Sequence, residues 1–282
     1  MLSRNRDRMG VGNTPQQSEA PINQMMNDEQ PFSFVVPTEF VELPSKGKFY
    51  PPGHPLHNQE VIEIKQMTAK EEDILTSRSL LKQGVAIDRV LQSIVMNPAI
   101  DVSSLLVGDR NAIIIACRVS GYGSDYSTKI TCPACEAKNE YTFDLNEADI
   151  SSGNLENVTM NGDGTFNTIL PKSNLSIDFR LLTGRDEKFL TQGQTTKNKN
   201  KADRIITTQL RGMMVSVNDN ETPEALNYVA NNLPSMDSKY LRDVYKNTQP
   251  NVDLTQHYQC SECGYETDME VPLTADFFWP NS

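Results

Sequence analysis

The chain has 282 residues, 26 basic against 37 acidic, for a formal net charge of −11 and a mean hydropathy of −0.50. A chain of this length can bury a sizeable core without disulfides, and no segment approaches the run of roughly 20 apolar residues that a membrane helix needs. The acidic balance argues against binding nucleic acid through overall positive charge.

The N-terminal part divides into two segments of different composition. Residues 1–31 are rich in Asn, Gln, Ser, Pro and Met without periodic apolar positions, which predicts a disordered arm. The arm lacks the apolar stretch of a signal peptide, so we expect the chain in a reducing cytoplasm. Residues 32–66 alternate apolar anchors with Pro and Gly, which predicts an extended segment ending in a short strand over 61–65.

Residues 67–124 predict an N-terminal helical part. A capping-box pattern and a terminal glycine delimit a first helix over 68–84. A second helix is predicted over 87–96 and a third over 109–121, with Asp109 as its N-cap. The third helix is apolar on most faces, so we expect it at the centre of the fold.

Residues 146–253 predict an inserted part with a β-hairpin and further helices. Apolar and polar residues alternate strictly over 175–181, which is typical of a half-buried strand, and 165–170 is predicted as its hairpin partner. An apolar stripe over 206–217 predicts one helix. Two further helices are predicted, one starting at Thr222-Pro223 with an N-cap and a first-turn proline and one capped by Ser235.

Four of the five cysteines form two Cys-x-x-Cys pairs, Cys132/Cys135 and Cys260/Cys263. Strand-like residues flank both pairs, so each pair is predicted to form a hairpin tip that presents two sulfurs. In a reducing compartment two such pairs favour one structural Zn²⁺ per chain over disulfides or a redox site. Four thiolate ligands leave no open coordination position, so the predicted metal stabilises and does not catalyse.

The two halves of this predicted zinc site are far apart in the chain. They comprise residues 125–145 and 254–273, and residues 136–259 lie between the cysteine pairs. This spacer is far longer than in compact zinc modules. We therefore predict an α+β fold: a helical body with a small antiparallel zinc-ribbon-like β element that joins early and late chain.

Other residues that could bear chemistry have simpler interpretations. His257 lies three residues before Cys260 and could replace one thiolate. His54 and His57 lie in a Pro-Gly loop, typical of an exposed turn, and Cys117 is interpreted as a buried apolar residue of the third helix. The catalytic motifs His-Glu-x-x-His, Gly-x-Ser-x-Gly, Walker A and Gly-x-Gly-x-x-Gly do not occur, which predicts a protein that is not an enzyme.

Five short motifs follow one another along the chain: Leu43–Pro51, Val107–Ala112, Arg118–Gly123, Leu182–Glu187 and Phe277–Pro280. In this order they resemble the baseplate hub subunit family of T4-like contractile-tailed bacteriophages, over roughly residues 32–282. The resemblance implies a subunit of the hub or an assembly factor, such as a chaperone, that leaves it. It implies other hub proteins as partners, the virion baseplate or the host cytoplasm as location, and no enzymatic activity.

Two questions stay open at this point. The aromatic C-terminal tail, residues 274–282, could anchor in a groove of a partner or tuck over the chain's own core. The alternative function is a zinc-ribbon protein that recruits nucleic-acid machinery. The basic run at 197–201 is better explained as a solvated loop, and we expect no direct nucleic-acid or membrane contact.

Overall fold

The structure is a computed structural model that describes residues 35–195, 205–271 and 275–278. Residues from Pro37 onward form one compact unit, to which every element below belongs. The predicted arm over 1–31 and the basic run at 197–201 lie outside the described residues. Within the described ranges, helices alternate with small antiparallel sheets, which confirms the α+β class. No helix in this part of the chain is long and apolar enough to cross a membrane.

The N-terminal segment of this unit forms a two-stranded antiparallel sheet. Strands β1 (Thr38–Glu42) and β2 (Val61–Lys65) pair with each other, which confirms the predicted strand over 61–65. The loop between them folds back tightly at Gly47, where φ is +68° and an added Cβ would lie 2.3 Å from the backbone nitrogen of Gln59. Only glycine fits this position.

Three short helices follow: α1 (Ala69–Thr76), α2 (Arg78–Gln83) and α3 (Ala86–Ile94). The capping box at the start of α1 and the left-handed glycine that ends α2 are as predicted. The single helix predicted over 68–84 is wrong, however, because Ser77 is extended, with ψ at 106°. Hydroxyl side chains at this point compete with the helical hydrogen bonds.

Helix α4 (Val107–Tyr122) lies in the core, as its composition predicted. Its buried residues include Ile113, which is 0% exposed, and Cys117, which is 2% exposed. The prediction that Asp109 caps this helix is wrong. Asp109 lies in the first turn, fully buried, and accepts hydrogen bonds from the Ser45 and Tyr50 side chains at 2.6 and 2.8 Å.

A four-stranded sheet follows over residues 159–217, in the order β6-β7-β8-β9. Its strands are β6 (Thr159–Met160), β7 (Thr165–Ile169), β8 (Ser176–Arg180) and β9 (Met214–Val217). Strands β7 and β8 confirm the predicted hairpin. The helix predicted over 206–217 is correct only in its first part, since its last apolar position belongs to β9.

The remaining helices are α5 (Gly184–Thr195), α6 (Ile205–Met213), α7 (Pro223–Asn232) and α8 (Ser235–Thr248). Helix α7 begins where the sequence predicted, but the prediction that Ser235 caps α8 is wrong, because Ser235 is its first helical residue and Pro234 occupies the N-cap position. Helix α7 has a Thr222 N-cap whose side chain accepts from the N–H of Ala225. After α8 the chain returns to the core as a short strand, β10 (Asn251–Asp253), which pairs with β5 (Asp149–Ser151).

Candidate metal centre

Each Cys-x-x-Cys pair lies at the turn of a β-hairpin, as predicted. The first hairpin consists of β3 (Asp125–Thr131) and β4 (Lys138–Asp144). The second consists of β11 (Thr255–Gln259) and β12 (Glu266–Glu270). Buried and exposed residues alternate along these strands, because one face of each hairpin packs on the core and the other meets solvent.

The two turns close with the same hydrogen bond. The N–H of Cys132 donates to the carbonyl of Ala137 at 2.8 Å, and the N–H of Cys260 donates to the carbonyl of Tyr265 at 2.9 Å. In both turns this bond spans the same number of residues. The two segments, distant in sequence, therefore build matching turns over 132–137 and 260–265, which we call the first and second knuckles.

Both knuckles need a left-handed residue directly after the second cysteine. In the second knuckle this residue is Gly264, with φ at 69°, and its N–H donates to the carbonyl of Cys260 at 3.0 Å. In the first knuckle it is Glu136, with φ at 59°, and its N–H donates to the carbonyl of Cys132 at 2.9 Å. The first knuckle therefore carries backbone strain that the glycine of the second avoids.

The structure brings the four predicted cysteines together. Their sulfur atoms all lie within 4.8 Å of one another. Two of these distances run between the hairpins: Cys132 Sγ to Cys263 Sγ is 3.8 Å, and Cys135 Sγ to Cys260 Sγ is 3.8 Å. Four sulfurs placed about 2.3 Å from a central ion in a tetrahedron would be about 3.8 Å apart. The cluster therefore has the size and donor type of a site that could bind a metal ion.

One cysteine of each pair is buried and the other is exposed. Cys132 and Cys260 face the core, whereas Cys135 and Cys263 face solvent. An ion between them would lie at the protein surface with its inner half covered. This position allows an ion to enter without unfolding the chain.

Nitrogen donors surround the buried sulfurs. Asn139 on β4 donates through Nδ2 to Cys260 Sγ at 3.0 Å and to the Tyr258 hydroxyl at 3.1 Å. The N–H of Ala134 donates to Cys132 Sγ at 3.4 Å. Such donors stabilise negative charge on sulfur and fix the orientation of ligands.

The backbone and the neighbouring thiols separate the pKa values of the cysteines. N–H groups of Cys263 and Glu262, together with hydrogen bonds from other thiols, lower the pKa of Cys260 to about 6. The N–H of Ala137 lowers the pKa of Cys135, but its thiol contacts, chiefly with Cys263, and burial outweigh this and raise it to about 12. Four thiolates this close would repel one another unless a cation neutralised them.

Polar contacts also join the two hairpins along their strands. The amide of Gln256 forms a two-way bond with the backbone of Asp144, donating to its carbonyl at 2.6 Å and accepting from its N–H at 3.2 Å. The Tyr141 hydroxyl donates to the carbonyl of His257 at 2.9 Å. No local sequence pattern predicts these contacts, because they join residues more than 100 positions apart.

The other candidate ligands lie away from the cluster. His257 is 62% exposed, and its Nδ1 lies 3.6 Å from Asp268. His54 is half-buried and not in an exposed turn as predicted, because it stacks on Tyr50 with ring centroids 4.3 Å apart. Burial raises the pKa of Cys117, as expected for the apolar role predicted. Among the described residues, the four cysteines form the one group of close metal-ligand side chains.

The aromatic end of the chain packs on its own core. Phe277 and Phe278 are 2% and 4% exposed, and the Phe277 ring meets that of Tyr126 edge-on at 5.2 Å. Arg118, buried on α4, donates through Nε to the carbonyl of Phe277 at 2.7 Å. Of the two roles considered for this tail, these contacts favour the intramolecular one for Phe277 and Phe278.

Comparison with known protein families gives a match over most of the chain. The sequence model of a family described as T4 bacteriophage base plate protein matches residues 36–279. No curated protein and no solved structure gives a significant match. The matched range includes both knuckles and all the helices and strands described above.

Proposed function

The chain belongs to the T4 bacteriophage base plate protein family, and we propose that it acts in the baseplate hub as a structural subunit or an assembly factor. Family membership assigns it to the virion baseplate, among other baseplate proteins. The hub position, the assembly role and the absence of catalysis are the parts that we add. The order of the five motifs supports the hub and assembly parts. The absence of catalysis is supported by the cysteine cluster, the one group of close metal-ligand side chains within the described residues: a metal ion bound by all four sulfurs would have no open coordination position.

We further propose that Cys132, Cys135, Cys260 and Cys263 hold one structural Zn²⁺. The carrying observation is the sulfur geometry, with inter-hairpin distances of 3.8 Å that match a thiolate tetrahedron. Zinc would accept four sulfurs, neutralise their charge and require no further ligand. The cytoplasm in which phage proteins are made keeps thiols reduced, which favours a metal over disulfides.

The role of the ion would be to join early and late chain. The cysteines that meet across the two hairpins are 131 and 125 positions apart. Cross-linking such distant positions restricts the unfolded chain, and structural zinc contributes about 10–16 kcal/mol of apparent binding energy in small zinc domains. A rigid, closed body suits a subunit that must keep its shape under assembly forces.

Metal analysis of the purified full chain tests the zinc proposal. We expect about one zinc per chain, and Co²⁺ substitution should give the visible absorption of a tetrahedral thiolate site. Cys132→Ser and Cys260→Ser should lose the metal and become protease-sensitive, while Cys117→Ala, the matched control outside the cluster, should retain one zinc. Full stability of both serine variants without metal would refute the proposal.

The hub assignment needs a separate test. The zinc-loaded chain should co-purify with hub components when they are expressed together, and not with tail-tube proteins. In a phage with an amber mutation in the gene for this chain, baseplate assembly should stop at the hub. Normal baseplates without this chain would refute the assignment whatever the metal content.

The alternative is a zinc-ribbon protein that recruits nucleic-acid machinery, and charge argues against direct nucleic-acid contact by such a ribbon but not against a ribbon that binds protein. The second hairpin has exposed acidic side chains at Glu262, Glu266, Asp268 and Glu270, and no Lys or Arg occurs over 255–271. Phosphates would be repelled from this knuckle. A protein partner is therefore the better candidate for contact with it.

A further inference from the structure

An apolar groove of about 350 Å³ runs along the N-terminal strand of the folded unit. Helix α4 forms its floor, β1 forms one wall, and residues around β5 form the other. The floor consists of small and aliphatic side chains: Ala112, Ile115, Ala116 and Val119. Two large apolar side chains on the walls are open to solvent, Phe40 at 69% and Ile150 at 47%.

The groove follows the free edge of β1. Four consecutive residues of this strand, 39–42, line the groove. Because successive side chains of a strand point to opposite faces, four in a row can border one groove only along the strand's edge. The only strand that pairs with β1 among the described residues is β2, on the opposite edge.

The register shows which backbone groups face the groove. Leu43 donates through N–H to the carbonyl of Glu60 at 2.8 Å. Val41 and Glu39, two and four residues earlier, also direct their backbone N–H and C=O groups toward β2 in the antiparallel ladder. The intervening residues, Phe40 and Glu42, therefore direct their N–H and C=O groups away from β2. No hydrogen bond to another described residue uses these groups.

The wall of the groove also carries unsatisfied negative charge. Its charged lining residues are Glu39 and Glu42, with no Lys or Arg among them. The Oε1 atom of Glu39 is buried and has no hydrogen-bond partner among the described residues. A buried acceptor without a donor is costly, so the inner side of the groove is complementary to a hydrogen-bond donor. Glu42, on the opposite face of β1, is complementary to a cation.

We propose that an extended segment of another baseplate protein adds to β1 as a strand in this groove. Its backbone would pair with Phe40 and Glu42, and one apolar side chain would rest on the α4 floor. An adjacent Lys or Arg, on the opposite face of the segment, would lie beside Glu42. The segment would lie between two two-stranded sheets, β2-β1 and β5-β10. The inference rests on the structural role proposed above, since it states how a baseplate partner is held.

Amide exchange of the full zinc-loaded chain tests this inference. The probe is a synthetic hexapeptide of alternating valine and lysine, compared with the same peptide N-methylated at alternate positions. We expect the first peptide to slow exchange at Phe40 and Glu42 at least tenfold at saturation and the methylated one to have no effect. Glu42→Lys should weaken peptide binding at least tenfold, whereas Glu156→Lys, an equal charge reversal at an exposed site away from the groove, should not.

Several outcomes would overturn the inference. They are unchanged exchange at millimolar peptide, equal binding of the methylated peptide, or equal binding by Glu42→Lys. Faster exchange at Phe40 after deletion of residues 1–34 would show that the chain fills its own groove. Protection that rises with protein concentration would assign the groove to a second copy. A chain that binds zinc and hub proteins yet fails here loses only this inference.

Discussion

Replacing Arg118 with Met is expected to destabilise the fold and loosen its C-terminal end. The Arg118 side chain is fully buried and donates to the carbonyl of Phe277 at 2.7 Å, to that of Asp125 at 2.9 Å, and to that of Gly123. One guanidinium thus joins the end of α4, the start of the first metal-site hairpin and the last described turn. Burial lowers its pKa, but a guanidinium stays protonated.

The magnitude follows from the surroundings of the three carbonyls. A hydrogen bond to a charged group contributes about 1.5–3 kcal/mol, and methionine keeps most of the apolar stem. The carbonyls of Gly123 and Asp125 are partly buried and can regain water, whereas that of Phe277 is in a buried bond. Loss of the buried bond to Phe277 and part of the other two should therefore cost about 3–5 kcal/mol, a large share of the roughly 5–15 kcal/mol that stabilises a typical fold.

Urea unfolding gives the free energy, and amide exchange over 275–278 reports release of the C-terminal turn. The control is Arg185→Met, because Arg185 is 71% exposed and pairs with Asp101 at 3.0 Å on the surface. An exposed ion pair contributes about 0–1 kcal/mol, so this variant should unfold near the wild-type midpoint. Equal unfolding free energies for the two variants, or destabilisation without faster exchange at the C-terminal turn, would refute the reasoning.

The remaining predictions concern strain in the knuckles and pH. Gly264→Ala should lower the unfolding free energy by about 1 kcal/mol, whereas Glu136→Gly should keep or raise it, because both positions have positive φ; the reverse order in urea unfolding would contradict this. Burial would raise the pKa of Glu71, but hydrogen bonds, first from Ser93 and then Thr68, lower it from 4.5 to about 2. The stabilisation of the fold by ionised Glu71 is therefore full above about pH 4.5 and is lost as pH falls through 2. Glu71→Gln should flatten this part of the plot of unfolding free energy against pH, and an unchanged slope would exclude Glu71 as its source.

Local patterns in the sequence predicted the elements well where neighbouring residues decide. The Cys-x-x-Cys hairpins, the α1 capping box and the Thr222 cap depend on bonds within a few positions, and all are present. Predictions failed where a distant group intervened. Asp109 is of a residue type that often caps helices, but it lies inside the first turn and accepts hydrogen bonds from the side chains of Ser45 and Tyr50.

The sequence by itself therefore determined the family, the α+β class and the two sulfur-bearing turns, because order, composition and short spacing encode them. The sequence predicted that the two turns share one ion, but only the tertiary structure decided that they meet, since this requires residues over 100 positions apart to come within hydrogen-bond distance. The same holds for the Arg118 bonds and the groove beside β1, whose partners are distant along the chain. Such contacts leave no periodic signal, because the free energy of closing a long loop depends on the whole core and not on neighbouring residues.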